Sequence, residues 1–74
     1  MKIRIKLFAS LRAGRFSEEE LELPEGSAVA AALTQARVPE SEAAIIFVNS
    51  RHAVPASALG DGDVLAVFPP VGGG

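Results

Sequence analysis

The chain has no cysteine, no tryptophan and no tyrosine, and only one histidine and one methionine. Without cysteine there is no disulfide, no thiolate metal site and no thiol nucleophile, an absence that fits a cytosolic protein. The lone His52 beside a turn is read as an ordinary surface residue, and no His/Asp/Glu spacing suggests zinc. Four phenylalanines are the whole aromatic complement, which leaves little to stack bases on. A formal net charge of −2 argues against nucleic acid as the main partner. No apolar run approaches membrane-spanning length, and no signal segment precedes the first strand-like stretch, so the expectation is a cytoplasmic protein without a membrane partner. No glycine-rich phosphate loop follows a strand, and no Ser/His/Asp arrangement appears. Seventy-four residues leave no room for a walled substrate pocket of ordinary volume. These absences argue against a self-contained enzyme and leave a carrier, a binding module or a subunit.

What is present is patterned. Lys2 to Phe8 alternates, with Ile3, Ile5 and Leu7 on one face and Lys2, Arg4 and Lys6 on the other. Period two with β-branched residues reads as a half-buried strand. Ala9 to Ala13 reads as a short helical turn closed by Gly14. Glu18 to Leu23 reads as a second strand, with Leu21 and Leu23 inward, Glu18, Glu20 and Glu22 outward, and Glu19 on the apolar face near an edge. Lys2, Arg4, Lys6, Arg12 and Arg15 precede residue 16, while Glu18, Glu19, Glu20, Glu22 and Glu25 follow it. An antiparallel pair would set Lys2, Arg4 and Lys6 against Glu18, Glu20 and Glu22, worth roughly 0.2–1 kcal/mol each and least when exposed. A solvated charged face is therefore expected rather than an acidic docking patch.

Ser27 suits a helix N-cap. Val29, Ala32, Leu33 and Ala36 recur at helical spacing within the alanine-rich stretch Ala28 to Arg37, which Pro39 ends. Ala44 to Val48 is apolar throughout and reads as a buried strand. Asn49-Ser50-Arg51 makes a turn, and His52 to Val54 a short strand stopped by Pro55. Ala56 to Leu59 reads as a short helical turn, and Gly60-Asp61-Gly62-Asp63 as a tight turn with too few acids for a calcium loop. Val64 to Phe68 is a last strand, again apolar on both faces. The order strand, strand, helix, strand, short strand, strand is an α+β layer with the helix on one face. The two all-apolar strands are expected at the centre and the charged and short ones at the edges, where Lys and Glu discourage pairing with other chains.

The chain then runs Pro69-Pro70-Val71-Gly72-Gly73-Gly74. Two prolines cannot extend a sheet ladder, and three glycines offer no side chain. The domain is therefore set at residues 1–68 and the tail at 69–74, with a reach of roughly 20 Å if extended. Taken alone such a tail is often only a disordered end. It is also a probe that suits a narrow tunnel, presenting a carboxylate.

The segment Phe8-Ala9-Ser10-Leu11-Arg12, the junction Leu23 to Val29, the strand exit Val48-Asn49, the turn Asp61-Gly62-Asp63 and the ending Phe68-Pro69-Pro70-Val71-Gly72-Gly73-Gly74 together resemble the molybdopterin synthase small subunit, the MoaD family. The resemblance covers nearly the whole chain and lies within the MoaD/ThiS sulfur-carrier superfamily. It implies a β-grasp, ubiquitin-like fold: a mixed five-stranded sheet with one main helix on one face. It implies that Gly74 is the working group, approached through Gly73 and Gly72 and delivered by Pro69, Pro70 and Val71. In the family an ATP-using, MoeB-like enzyme adenylates the terminal carboxylate, a sulfur donor enzyme converts it to a thiocarboxylate, and the tail enters a MoaE-like large subunit. The catalytic side chains belong to that partner, and the carrier itself binds no cofactor or metal. Matched position by position, Phe8, Leu59 and Phe68 fall on apolar docking positions and Arg12 on a cation of the same surface. For Phe8 and Phe68 ordinary core packing is the competing reading.

The chain also departs from that pattern. The triple glycine is more typical of ThiS, the carrier of thiamin thiazole synthesis, and Ala13 stands where an acid often follows Arg12. The Phe-Ala-Ser-Leu-Arg segment and the Phe-Pro-Pro exit point back to the MoaD side. A thiamin or tungsten-cofactor carrier, a ubiquitin-like protein modifier and a plain binding module with an idle tail stand as alternatives.

Overall fold

The computed structural model describes residues 1–70. Five strands form one mixed sheet: β1 (Lys2–Leu7), β2 (Glu18–Glu22), β3 (Ile45–Val48), β4 (Arg51–Ala53) and β5 (Val64–Phe68), with one helix, α1 (Val29–Gln35), between β2 and β3. Their spatial order is β2-β1-β5-β3-β4. The β1–β5 pair is parallel and the others are antiparallel. The charged β2 and short β4 are the edges, and the all-apolar β3 and β5 lie inside, as the sequence pattern requires.

The two strand periods sort the side chains. Ile3, Ile5, Leu7, Ile46, Leu65 and Val67 are buried on one face of the sheet, beneath Val29, Ala32, Leu33 and Ala36 of the helix. The alanines keep α1 thin enough to lie close on the sheet. Removing these side chains from water is the main favourable term, about 25 cal/mol per Å² of apolar surface. On the other face Lys2, Arg4 and Lys6 stand opposite Glu22, Glu20 and Glu18, and Glu19 sits exposed at the edge opposite Ile5.

Three local expectations are corrected. Ser27 does not cap the helix: its hydroxyl donates to the Pro24 carbonyl at 2.7 Å. The first-turn N–H groups of α1 are satisfied by another segment, with Val29 donating to the Ser57 carbonyl (2.8 Å) and Ala30 to the Pro55 carbonyl (2.9 Å). Ala56 to Leu59 is consequently not helical. It follows a turn in which Ser57 N–H donates to the Val54 carbonyl, and Ala58 bridges Ala28. A helical turn there would direct those carbonyls inward along its own axis. Third, α1 stops before Pro39. Arg37 takes φ +62°, Arg37 N–H donates to Thr34 and Val38 N–H to Leu33, which closes the carbonyls of the last turn.

The loops at the end of the sheet where β5 begins are latched by side chains. Asn49 and Ser50 both take positive φ, the two-residue hairpin turn that matches sheet twist. Asn49 donates to Asp63 Oδ1 (2.8 Å) and accepts from Val64 N–H (2.9 Å). Asp63 Oδ2 accepts from Gly60 N–H (2.7 Å) and Asp61 Oδ1 from Lys2 N–H (2.8 Å). Both acids of the Gly60–Asp63 turn thus serve backbone groups.

Arg37 occupies a left-handed position that favours glycine, and its side chain is exposed. We expect Arg37→Gly to stabilise the fold by about 0.5–1 kcal/mol, since a β-carbon in that conformation costs roughly 1–2 kcal/mol and glycine's greater freedom in the unfolded chain offsets about 0.4–1 kcal/mol of it. Chemical denaturation checks it, and a loss of stability would show that the guanidinium contributes more than the strain.

Candidate functional site

One helix covers one face of a sheet. The open face of β5 carries Val64, Ala66 and Phe68, and that of β3 carries Ile45 and Phe47, all half-buried. The sequence reading of β3 as a buried strand is therefore corrected: only Ile46 is fully enclosed, and half of this apolar strand meets solvent. Its continuous apolar run reflects two different surfaces, the core and an open patch.

The rings in that patch are ordered. Phe8, immediately beyond β1, stacks on Phe68 with centroids 4.3 Å apart and planes 10° from parallel. Phe47 meets Phe68 edge-on at 6.1 Å and 89°, and His52 on β4 meets Phe47 edge-on at 6.0 Å and 84°. A shallow groove of about 600 Å³ runs beside them, bordered by Lys6, Phe8, Phe47, Asn49, Ala66 and Phe68 among others. Ala66 lies between Lys6 and Phe47 in the strand register, so a small side chain keeps the groove open.

Local structure places Phe8. Ala9 takes φ +53° directly after it and starts the 3₁₀ turn Ala9–Arg12, which turns the chain off the sheet. Leu11 anchors the turn in the core. Arg12 donates from Nε to the Leu7 carbonyl (3.1 Å), and its guanidinium carbon sits 5.8 Å from the Phe8 ring centroid. Arg15 braces the segment by donating to the Leu11 and Arg37 carbonyls (3.1 and 3.0 Å). Phe8 N–H donates to Val67 (3.1 Å), and Ala44 N–H to the Phe68 carbonyl (3.0 Å). Those bonds tie both sides of β5 down to its last residue.

The structure thus brings Phe8, Arg12 and Phe68 together where β5 gives way to Pro69 and Pro70. Pro69 is half-buried and Pro70 exposed. The expected working residues Val71, Gly72, Gly73 and Gly74 lie outside the described residues. Leu59 does not join the patch. It is 6% exposed and packs within the core. The residues of the open face that the sequence reading left out are Lys6, Phe47, His52 and Ala66. The signal for Phe47 and Ala66 was present: two apolar strands in a one-helix domain cannot both be covered twice. Among the described residues no group of His, Asp or Glu is placed to hold a metal, and no helix is long and apolar enough to cross a membrane.

The profile described as the ThiS family matches residues 5–74. A candidate molybdopterin converting factor, subunit 1, of Pyrococcus furiosus is similar at 37% identity and TM-score 0.76, covering 96% of this chain and 99% of that one. SAMP1 from Haloferax volcanii is similar at 25% identity and TM-score 0.80, with both chains fully covered. A chain in the complex of subunits 1 and 2 of molybdopterin-converting factor from Helicobacter pylori shares the fold at 21% identity and TM-score 0.64. No curated protein matches.

Stacked aromatic pairs contribute about 0.5–1.5 kcal/mol beyond the area they bury. A double-mutant cycle of Phe8→Ala and Phe68→Ala, read by chemical denaturation, is expected to show coupling of about 1 kcal/mol. Additive single effects would mean the two rings act independently.

Proposed function

The chain belongs to the ThiS family, the small ubiquitin-like carriers of the β-grasp fold, and from that premise we propose that it is the sulfur carrier of molybdopterin synthesis. The observation that carries this reading is the aromatic patch at the root of the tail. Phe68 is at once the last residue of β5, the partner of Phe8 and the residue before Pro69-Pro70. A partner that docks on those rings is aligned with whatever follows them.

The chemistry needs no side chain from this protein. A carboxylate resists nucleophiles, because its charge repels them and oxide is a poor leaving group. Adenylation of the Gly74 carboxylate by an ATP-using, MoeB-like partner releases pyrophosphate and installs AMP as a leaving group. Sulfide-level sulfur from a donor enzyme attacks the acyl carbon, the C–O bond to AMP breaks, and a thiocarboxylate remains. Its sulfur is a soft nucleophile at neutral pH. Residues 69–74 then act as the delivering tail of a domain spanning 1–68, with Gly72 and Gly73 giving the width a narrow channel demands. A MoaE-like large subunit supplies the catalytic groups that move sulfur to the pterin precursor. The Pyrococcus relative, at 37% identity, supports this pathway over the thiamin one.

A second reading has its own support. The likeness to SAMP1, which a further structure of similar fold describes as small archaeal modifier protein 1, favours transfer of an activated Gly74 to amines on other proteins. Both routes begin with the same adenylate. They separate at the nucleophile, which is sulfur in one and a lysine amine in the other.

Co-expression with the adenylating enzyme and a sulfur donor should raise the intact mass by about 16 Da, oxygen replaced by sulfur. No such species would overturn the carrier reading, and slower-migrating conjugates that need Gly74 would favour the modifier reading. Deleting Gly74 should abolish the mass shift and leave the melting temperature unchanged, because the last residues of a domain usually add little packing. Sulfur transfer by the deleted chain, or its unfolding, would contradict the proposal.

A further inference from the structure

The open face divides into a charged half and an apolar half, and the border between them carries two cations that enter no ion pair among the described residues, Lys6 and Arg12. Register sets Lys6 opposite Glu18 and Arg4 opposite Glu20. The ion pair that forms is instead diagonal: Arg4 reaches Glu18 at 2.9 Å. That engages the carboxylate facing Lys6, and Lys6 enters no ion pair among the described residues. Arg12 is likewise unpaired there. Its Nε is held by the Leu7 carbonyl, and its guanidinium is left beside the Phe8 ring. The two cations share a small cleft beside Phe8 with Glu18, the carboxylate that Arg4 engages, and Lys6 also borders the aromatic groove.

We propose that this rim selects a protein partner presenting carboxylates around an apolar knob, with Lys6 as a specificity-determining residue. The inference rests on the docking role given to the aromatic patch above, and it adds the chemistry of the surface that docks there. Charges at the margin of an apolar contact are screened less than in open water, and they set approach and register more than raw affinity. A polyanion fits poorly. The net charge is −2, and Glu18, Glu19, Glu20 and Glu22 lie one strand from Lys6, so a phosphate backbone laid along the cations would meet them. A few carboxylates at fixed places avoid that repulsion.

The test is an NMR titration of the isotope-labelled full chain with two synthetic peptides, one bearing aspartates beside a Leu-Phe pair and the other its asparagine twin. The aspartate peptide should shift the amides of Lys6, Phe8, Arg12 and Phe68. It should bind about threefold or more tighter in low salt than in ~0.5 M salt. Lys6→Gln and Arg12→Gln should each reduce its affinity toward that of the twin, whereas Arg37→Gln should not. Equal binding of the two peptides, binding of neither, or shifts centred elsewhere would overturn the proposal. So would tighter binding of a single-stranded oligonucleotide, or concentration-dependent self-association through the same amides. Shifts at Lys6 and Arg12 on deleting Gly74, without peptide, would assign these cations to the chain's own carboxylate and also overturn it. None of these outcomes depends on the thiocarboxylate, whose absence by mass would count against the carrier reading alone.

Discussion

A sheet has two faces, and the described residues hold one α-helix to cover them. The proposed docking surface follows from that inequality. The face under α1 collects Ile3, Ile5, Leu7, Leu65 and Val67 into a core. The other face must be made tolerable to water or be used. Beside β2 it is made tolerable, with Lys2, Arg4 and Lys6 set against glutamates. Across β5 and β3 it is left apolar, with Phe8, Phe47 and Phe68 packed on one another so that part of each ring is shielded. Half-buried rings that satisfy one another at modest cost can be covered again by a partner, which is the behaviour expected of a docking surface.

The tail depends on the same arrangement. β5 lies centrally, bonded on one side to β1 and on the other to β3, so its last residue is fixed by two neighbours. Pro69 and Pro70 then stop the ladder, because neither can donate a backbone hydrogen bond. A rigid root and a partner surface at the same spot turn a short segment into an addressed one. In the proposed function the fold supplies position, and the chemistry is left to the terminal group and to other proteins.

Much of this was legible in the sequence because two periods are easily told apart. Alternation in Lys2 to Leu7 and Glu18 to Leu23 gave both faces of the first hairpin, and the spacing of Val29, Ala32, Leu33 and Ala36 gave the buried side of the helix. Where periodicity vanished, so did the reading. Ile45 to Val48 shows no alternation, and an unbroken apolar run looks the same whether its second face meets a core or a partner. Caps supplied from afar were equally hidden: Ser27 has the right chemistry for an N-cap, yet Pro55 and Ser57 provide the carbonyls, from a loop whose proximity only the tertiary fold reveals. At Leu59 the resemblance assigns a docking position to a residue that the packing buries in the core. The tail residues 71–74 carry the proposed chemistry in the sequence alone.

The central claim is that the open aromatic face, and not the helical face, receives the partner that acts on the tail. Hydrogen–deuterium exchange of the full chain, alone and with its adenylating enzyme, tests it most directly. The account predicts protection at the ends of β1 and β5 and along β3, around Phe8, Phe47 and Phe68, with α1 unchanged. Protection concentrated on α1, with the aromatic face exchanging as in the free chain, would contradict it.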